Sequence, residues 1–238
     1  MNKLLILLFI SSSVFGQNMK FYGLNHRPQP GTSPIYIAAS AIVYDVSGAA
    51  STTPTPPAHI ADDILIIMAS NESGSTMSTV TAGWTQIAQY DGDMNVAWFW
   101  KRAAGSGTAG ATITAADTDQ YAICYIIRHC YTGGAPYEDE TAIGDRTDEI
   151  LTSEVTTISG NRLVASFAAI ANTEEWDHSP PPINWTLNND AFEGTGDFVT
   201  FTVISRNQAA IATIAQAIIG TQTYNEYWGS LTLAFKPE

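Results

Sequence analysis

An all-β body is expected of this chain on three counts. Runs of five to nine residues rich in Ile, Val, Thr and aromatics are separated by turn chemistry such as Asp91-Gly92-Asp93, Gly105-Ser106-Gly107 and Asn188-Asn189-Asp190. No window sustains apolar residues at a helical spacing. Ala209 to Ile219 comes nearest, but there Ile211, Thr213, Ala215, Ala217 and Ile219 alternate with a period of two. Finally, one ordered set of segments is written twice, about a hundred residues apart.

The first copy, about 58–131, begins with the apolar run Ile64 to Asn71. It continues through Gly83-Trp84-Thr85, Val96 to Trp100 and Ala111 to Thr114, and closes on Tyr121 to Arg128. The second copy, about 155–236, has Leu163 to Asn172, Asn184-Trp185-Thr186, Phe198 to Val203, Ala212 to Ala215 and Tyr227 to Lys236. The copies could be separate domains, but each is small, no flexible linker divides them and neither has a metal or disulfide framework, which favours one shared body. A sheet holding all their strands would have to split into packed layers. The expectation is therefore one domain over 47–238, a two-layer antiparallel β-sandwich, jelly-roll-like, whose pseudo-repeated halves are related by a twofold axis.

Ahead of it, residues 1–16 read as a secretory signal peptide. Lys3 supplies the positive start, Leu4 to Ile10 the apolar stretch, and Ser11 to Gly16 the small residues, ending in Val14-Phe15-Gly16 before Gln17. That stretch is too short for a bilayer, so no membrane span is expected in the mature chain and the location is secreted, extracellular or at a cell or virion surface. Residues 17–46 form an N-terminal extended arm and an extra strand. Pro28, Pro30 and Pro34 forbid helix, and Ile35 to Val46 is apolar on both faces. Ile35, Ile37, Ala39, Ala41 and Val43 fall on one side; Tyr36, Ala38, Ile42, Tyr44 and Val46 fall mostly on the other. No clear counterpart of this run occurs in the second copy, which marks Ile35, Tyr36, Ile37, Ile42, Val43 and Tyr44 as candidate assembly residues.

Composition narrows the function. The formal net charge is −13, from 10 basic and 23 acidic residues, with no Lys/Arg cluster to displace counterions, so a nucleic-acid partner is excluded. The acidity fits solubility outside a cell, or carboxylates that hold a divalent cation. Asp91, Asp93, Asp117 and Asp119 resemble fragments of a Ca2+ loop without its full ligand spacing. Glu138-Asp139-Glu140, Asp145, Asp148 and Glu149 read as a solvated acidic loop. Cys124 is expected buried and unpaired, since six residues of extended chain hold it too far from Cys130 for a disulfide unless the chain reverses around His129, and the state of Cys130 stays open.

No catalytic residue and no organic cofactor is expected: His26, His59, His129 and His178 lack metal-ligand spacing, and no nucleophile motif occurs. The cluster Glu174, Glu175, Asp177 and His178 around Trp176 is where paired glycosidase carboxylates would be sought. Trp84 and Trp185, at equivalent places, are either core tryptophans sealing the sandwich or sugar-stacking platforms. Trp98 and Trp100 alternate with Ala97 and Phe99, so that strand needs cover on both faces. Asn71 and Asn184 head glycosylation triplets.

The segments Asp63 to Ile67, Gly83-Trp84-Thr85, Trp98 to Ala103 and Tyr125 to His129 together resemble a loosely defined set of duplicated β-sandwich proteins. These occur in phage virions and tails and among bacterial secreted surface proteins. The resemblance covers about 55–236 and implies a non-catalytic structural or adhesive role, with no site residue carried over. The signal-like N-terminus departs from a virion protein and turns the expectation toward an exported subunit. That subunit would build a homo-oligomer or polymer: a filament or pilus-like appendage, a surface layer or a virion component. Joining by N-terminal strand donation is expected. The alternative is a secreted carbohydrate- or receptor-binding module that meets a surface glycan or receptor with Trp176 and Tyr137, and a glycoside hydrolase is the third reading.

Overall fold

A computed structural model describes residues 37–45, 51–71, 75–79, 81–115, 120–171, 181–193, 199–221 and 226–238. The signal segment, Ile35, Tyr36, Asp117, Asp119 and the Glu174 to His178 cluster lie outside these. Among the described residues no helix occurs. The first half of the chain forms strands β1 (Ile37–Ala39), β2 (Val43–Asp45), β3 (Ser51–Thr52), β4 (Ile64–Asn71), β5 (Ser78–Thr79), β6 (Thr85–Tyr90), β7 (Asn95–Arg102), β8 (Ile113–Thr114) and β9 (Gln120–Ile127). The second forms β10 (Tyr137–Arg146), β11 (Glu149–Leu151), β12 (Val155–Thr157), β13 (Arg162–Ala171), β14 (Thr186–Glu193), β15 (Val199–Gln208), β16 (Ala212–Ile214), β17 (Ile218–Thr221) and β18 (Tyr227–Phe235).

Two antiparallel sheets carry the body. One is ordered β1-β9-β4-β7-β6, with β2 also on β9; the other is ordered β10-β18-β13-β15-β14. They lie face to face, β4 against β13, β7 against β18, β6 against β10 and β1 against β14. The alternating side chains between them make one apolar cluster drawn from both sheets, with Ile66, Met68, Trp98 and Tyr125 meeting Phe167, Phe201, Leu233 and Phe235. Burying such side chains stabilises by about 1.5–3 kcal/mol apiece.

The long strands are apolar on their outer faces too, and this changes the expected two-layer picture. Leu65, Ile67, Phe99 and Ile126 are covered by β3-β8-β5 with Met77 and Trp84. Val164, Ile170, Ile204 and Trp228 are covered by the ladders β11-β17 and β12-β16 with Trp185. Each main sheet is also assembled within one half of the chain, so successive long strands do not alternate between layers as in a jelly-roll.

A second correction concerns residues 137–146. They form not an acidic loop but the edge strand β10, paired to β18 from Tyr137↔Phe235 to Arg146↔Tyr227. An edge strand tolerates, and profits from, the charges that made this stretch read as solvated loop. Where β10 crosses β6, Gly144 stands opposite Gly229, and a Cβ on Gly144 would lie 2.6 Å from the Tyr90 ring. The two glycines make the hollow that receives Tyr90 from the facing sheet.

Strands β4 and β13 start at the same end of the body. Ile64 pairs with Ile127 and Leu163 with Phe235, and the chains beyond these meet: Tyr131 N–H donates to the Lys236 carbonyl (2.9 Å) and Glu238 N–H to the His129 carbonyl (3.0 Å). This is the entry end. The opposite, far end holds the β6–β7 turn, where the Tyr227 hydroxyl donates to Asp93.

Candidate assembly edge

Strand β9 is buried along its whole length and pairs with β4 on one side. Its other side is completed by the short strands of the N-terminal run. Ile37, Ala38 and Ala39 face Ile127, Ile126 and Tyr125. Val43, Tyr44 and Asp45 face Ala122, Tyr121 and Gln120. Between them three residues, 40–42, stand opposite two, Cys124 and Ile123, which defines a β-bulge. Ser40 holds it: its N–H donates to the Cys124 carbonyl (2.8 Å), and its hydroxyl accepts from the Cys124 N–H (3.0 Å) while donating to the Ala41 carbonyl (2.7 Å). The hydroxyl thus replaces a ladder carbonyl that the extra residue has displaced.

The bulge overturns the strict alternation expected for this run. Ile42 joins Ile37 and Ala39 on the inner core, whereas Val43 joins Ala38 on the outer one. The signal was the lone Ser40 in a run of Ala and Ile. Of the six candidate assembly residues, Ile37, Ile42 and Val43 are half-buried at this edge. Tyr44 is placed by its backbone pairing alone, and Ile35 and Tyr36 lie outside the described residues.

In the second sheet the edge beside β18 is filled by β10. The two edges are held differently. β10 is a single strand with its own register shift between Tyr137 and Glu140, and it is pinned by side chains. Glu138 accepts from Arg162 (2.8 Å) and from the Ile158 N–H (2.9 Å), and Asp139 accepts from the Thr156 N–H (2.6 Å). Burial pushes the Glu138 carboxyl up, but the Arg162 hydrogen bond, the Ile158 N–H and the Arg162 charge outweigh it and hold the group below its ordinary value. β1 and β2 have three register pairs each, with Ser40 between.

The other candidates sort as follows. Asp91 and Asp93 are exposed in the β6–β7 turn, Asp91 accepting from Gln89 and Asp93 from Tyr227. Among the described residues no group of three or more His, Cys, Asp or Glu could hold a metal ion. Trp84 and Trp185 are buried in the outer clusters, so neither is a sugar platform. Tyr137 is no exposed platform either: it is half-buried, edge-on to Trp100 at 6.2 Å. Asn71 is fully buried with its Nδ2 donating to the Ser75 carbonyl (2.8 Å), which removes it as a glycan acceptor; Asn184 is exposed on a turn.

Cys124 and Cys130 are both free and buried, and burial pushes the Cys124 thiol well up and the Cys130 thiol up to about 12. His59 is a structural clip. Its Nδ1 lies 2.7 Å from the Pro57 carbonyl and its Nε2 accepts from the Thr108 N–H (3.1 Å), an arrangement that the Nδ1–H tautomer satisfies. No helix among the described residues is long and apolar enough to cross a membrane. No family model, curated protein or solved structure matches the chain.

Proposed function

We propose that this chain is a non-catalytic structural subunit of an extracellular assembly, a duplicated body whose neighbours exchange the β1–β2 run. The duplication is supported beyond the matching strand orders. Asp62 (φ 70°) and Asn161 (φ 57°) take a left-handed backbone two residues before Ile64 and Leu163. Gly83 (φ 82°) and Asn184 (φ 72°) do so immediately before Trp84 and Trp185. With β1 facing β14 and β10 facing β6, each edge strand meets the same partner type from the other half, as a twofold relation requires.

The observation that carries the assembly reading is the pair of short ladders on β9. A fully buried strand is completed by two three-residue pieces and the bulge between them, which pack the half-buried Ile37, Ala39 and Ile42 against the core and hold on mainly through backbone hydrogen bonds. Backbone ladders are indifferent to which chain supplies the strand, so a second copy's run fits the same groove. A filament, a surface layer and a virion component would all use such a joint.

The test is a disulfide across the ladder. Val43→Cys and Ala122→Cys, a register pair, are introduced with Cys124→Ala and Cys130→Ala, and the protein is oxidised after assembly. Covalent chain-to-chain ladders on a non-reducing gel are expected. Cross-linking confined within single chains would overturn strand exchange, and particles that stay monomeric by light scattering would overturn the assembly reading.

A further inference from the structure

The surface is polarised along the strand direction. Among the described residues, five of the six large apolar side chains that stand exposed are at the entry end: Ile60 (59%), Tyr131 (43%), Ile158 (69%), Ile183 (89%) and Ile211 (67%). Their placement follows from the register. Ile60 lies just before β4 and Tyr131 just after β9. Ile158 and Ile211 flank the last pair of the β12–β16 ladder, Thr157↔Ala212. Ile183 sits in the turn that leads through Trp185 to Thr186↔Ser205.

Charge is sorted along the same axis. Of the seven Lys and Arg among the described residues, six are at the entry end (Lys101, Arg102, Arg128, Arg162, Arg206 and Lys236). There they are matched by six carboxylate side chains (Asp62, Asp63, Glu138, Asp139, Glu140 and Glu238), so this end is close to neutral. Two of those pairs are direct, Arg128 with Asp63 at 3.1 Å and Arg162 with Glu138 at 2.8 Å. The far end gathers Asp91, Asp93, Asp145, Asp148 and Glu226 around one cation, Arg146.

We infer that the entry end is a self-association surface and that its partner is the entry end of a second copy. This rests on reading the chain as an assembling subunit and names one contact in that assembly. Three pairings of ends are open to two copies. Far end on far end brings two acidic surfaces together. Entry end on far end would bury isoleucines against carboxylates and strip those carboxylates of water, while the entry-end cations are already matched by six carboxylates of their own. Entry end on entry end sets apolar side chains against apolar side chains, adds no net repulsion and leaves the acidic ends as far apart as the bodies allow. Such a contact is isologous, each copy offering the same patch. The N-terminal run also enters the body here, since Ile37 pairs with Ile127, so the strands to be exchanged start beside the joint.

Light scattering on the chain from Gln17 onward, through a dilution series, tests it. A concentration-dependent dimer is expected. Ile183→Asp and Ile158→Asp, both at exposed positions, should each weaken it by about tenfold or more while leaving the thermal unfolding midpoint in place. Asp148→Asn at the far end should leave the dimer unchanged. A dimer indifferent to both isoleucine substitutions would overturn the inference and leave the assembly reading standing. Loss of the dimer on deleting residues 17–33, with both isoleucine variants still dimeric, would show that the arm makes the contact and would likewise overturn it. A monomer at every concentration would overturn both.

Discussion

Tyr125 and Phe167 meet across the two main sheets, ring centroids 5.5 Å apart and planes inclined at 64°, and Phe167 in turn stands edge-on to Phe235 at 6.4 Å. This run of rings joins a strand of the first half to two strands of the second, so the two sheets share one core. All three side chains are fully buried.

Phe167→Ala leaves a cavity at the centre of that run and is expected to cost about 3–5 kcal/mol of unfolding free energy. Tyr125→Phe tests the opposite sign. Among the described residues the phenol oxygen has no hydrogen-bond partner, and burial, with Asp190 and Cys124 adding to it, pushes its ionisation well up. Removing an unsatisfied buried hydroxyl while keeping the ring should be neutral or stabilising by up to about 1 kcal/mol. Urea unfolding of both variants checks the pair; a Tyr125→Phe loss of several kcal/mol would mean that the hydroxyl has a partner.

The residues before the two buried tryptophans give a second prediction. Gly83 and Asn184 hold the same left-handed turn, Gly without strain and Asn at modest cost. Gly83→Ala adds a Cβ where L-residues are disfavoured and should destabilise by about 1–2 kcal/mol. Asn184→Gly should be neutral or slightly stabilising. If the two substitutions shift unfolding in the same direction by similar amounts, the turns are not equivalent in energy.

Much of the architecture was legible because this chain writes it in long apolar strands. Val96 to Trp100 shows apolar residues at both parities, and the structure indeed packs Trp98 inward and Phe99 outward. The strands β3, β5, β8, β11, β12, β16 and β17 are two to four residues long, mostly Thr, Ser and Ile, and their pairing is set by the sheet they cover rather than by local propensity. β10 was hidden for a related reason, since Glu, Asp and Gly at an edge look like loop until the neighbouring strand is known. The bulge at Ser40 inverted the faces of Ile42 and Val43 because one inserted residue shifts every later side chain. The assembly candidates were legible only in part: their place on β9 is a long-range pairing that no local pattern encodes.

The pinning of β10 gives the last prediction, on pH. Glu138 keeps its charge below its ordinary titration range because Arg162 and the Ile158 N–H favour the carboxylate over the acid. The unfolded chain, lacking these partners, takes up the proton at higher pH than the native one. Stability from this group is therefore fully present above the unfolded value, near 4.5, and is lost as pH falls through the depressed native value. Glu138→Gln removes the charge and weakens the bonds to Arg162, with an expected cost of about 1–3 kcal/mol at neutral pH. That gap between wild type and variant should close on acidification, because wild-type Glu138 becomes neutral too. Denaturant titrations at neutral pH and below pH 4 measure it. A gap that stays constant over that range would show that the carboxylate charge does not hold the edge strand in place.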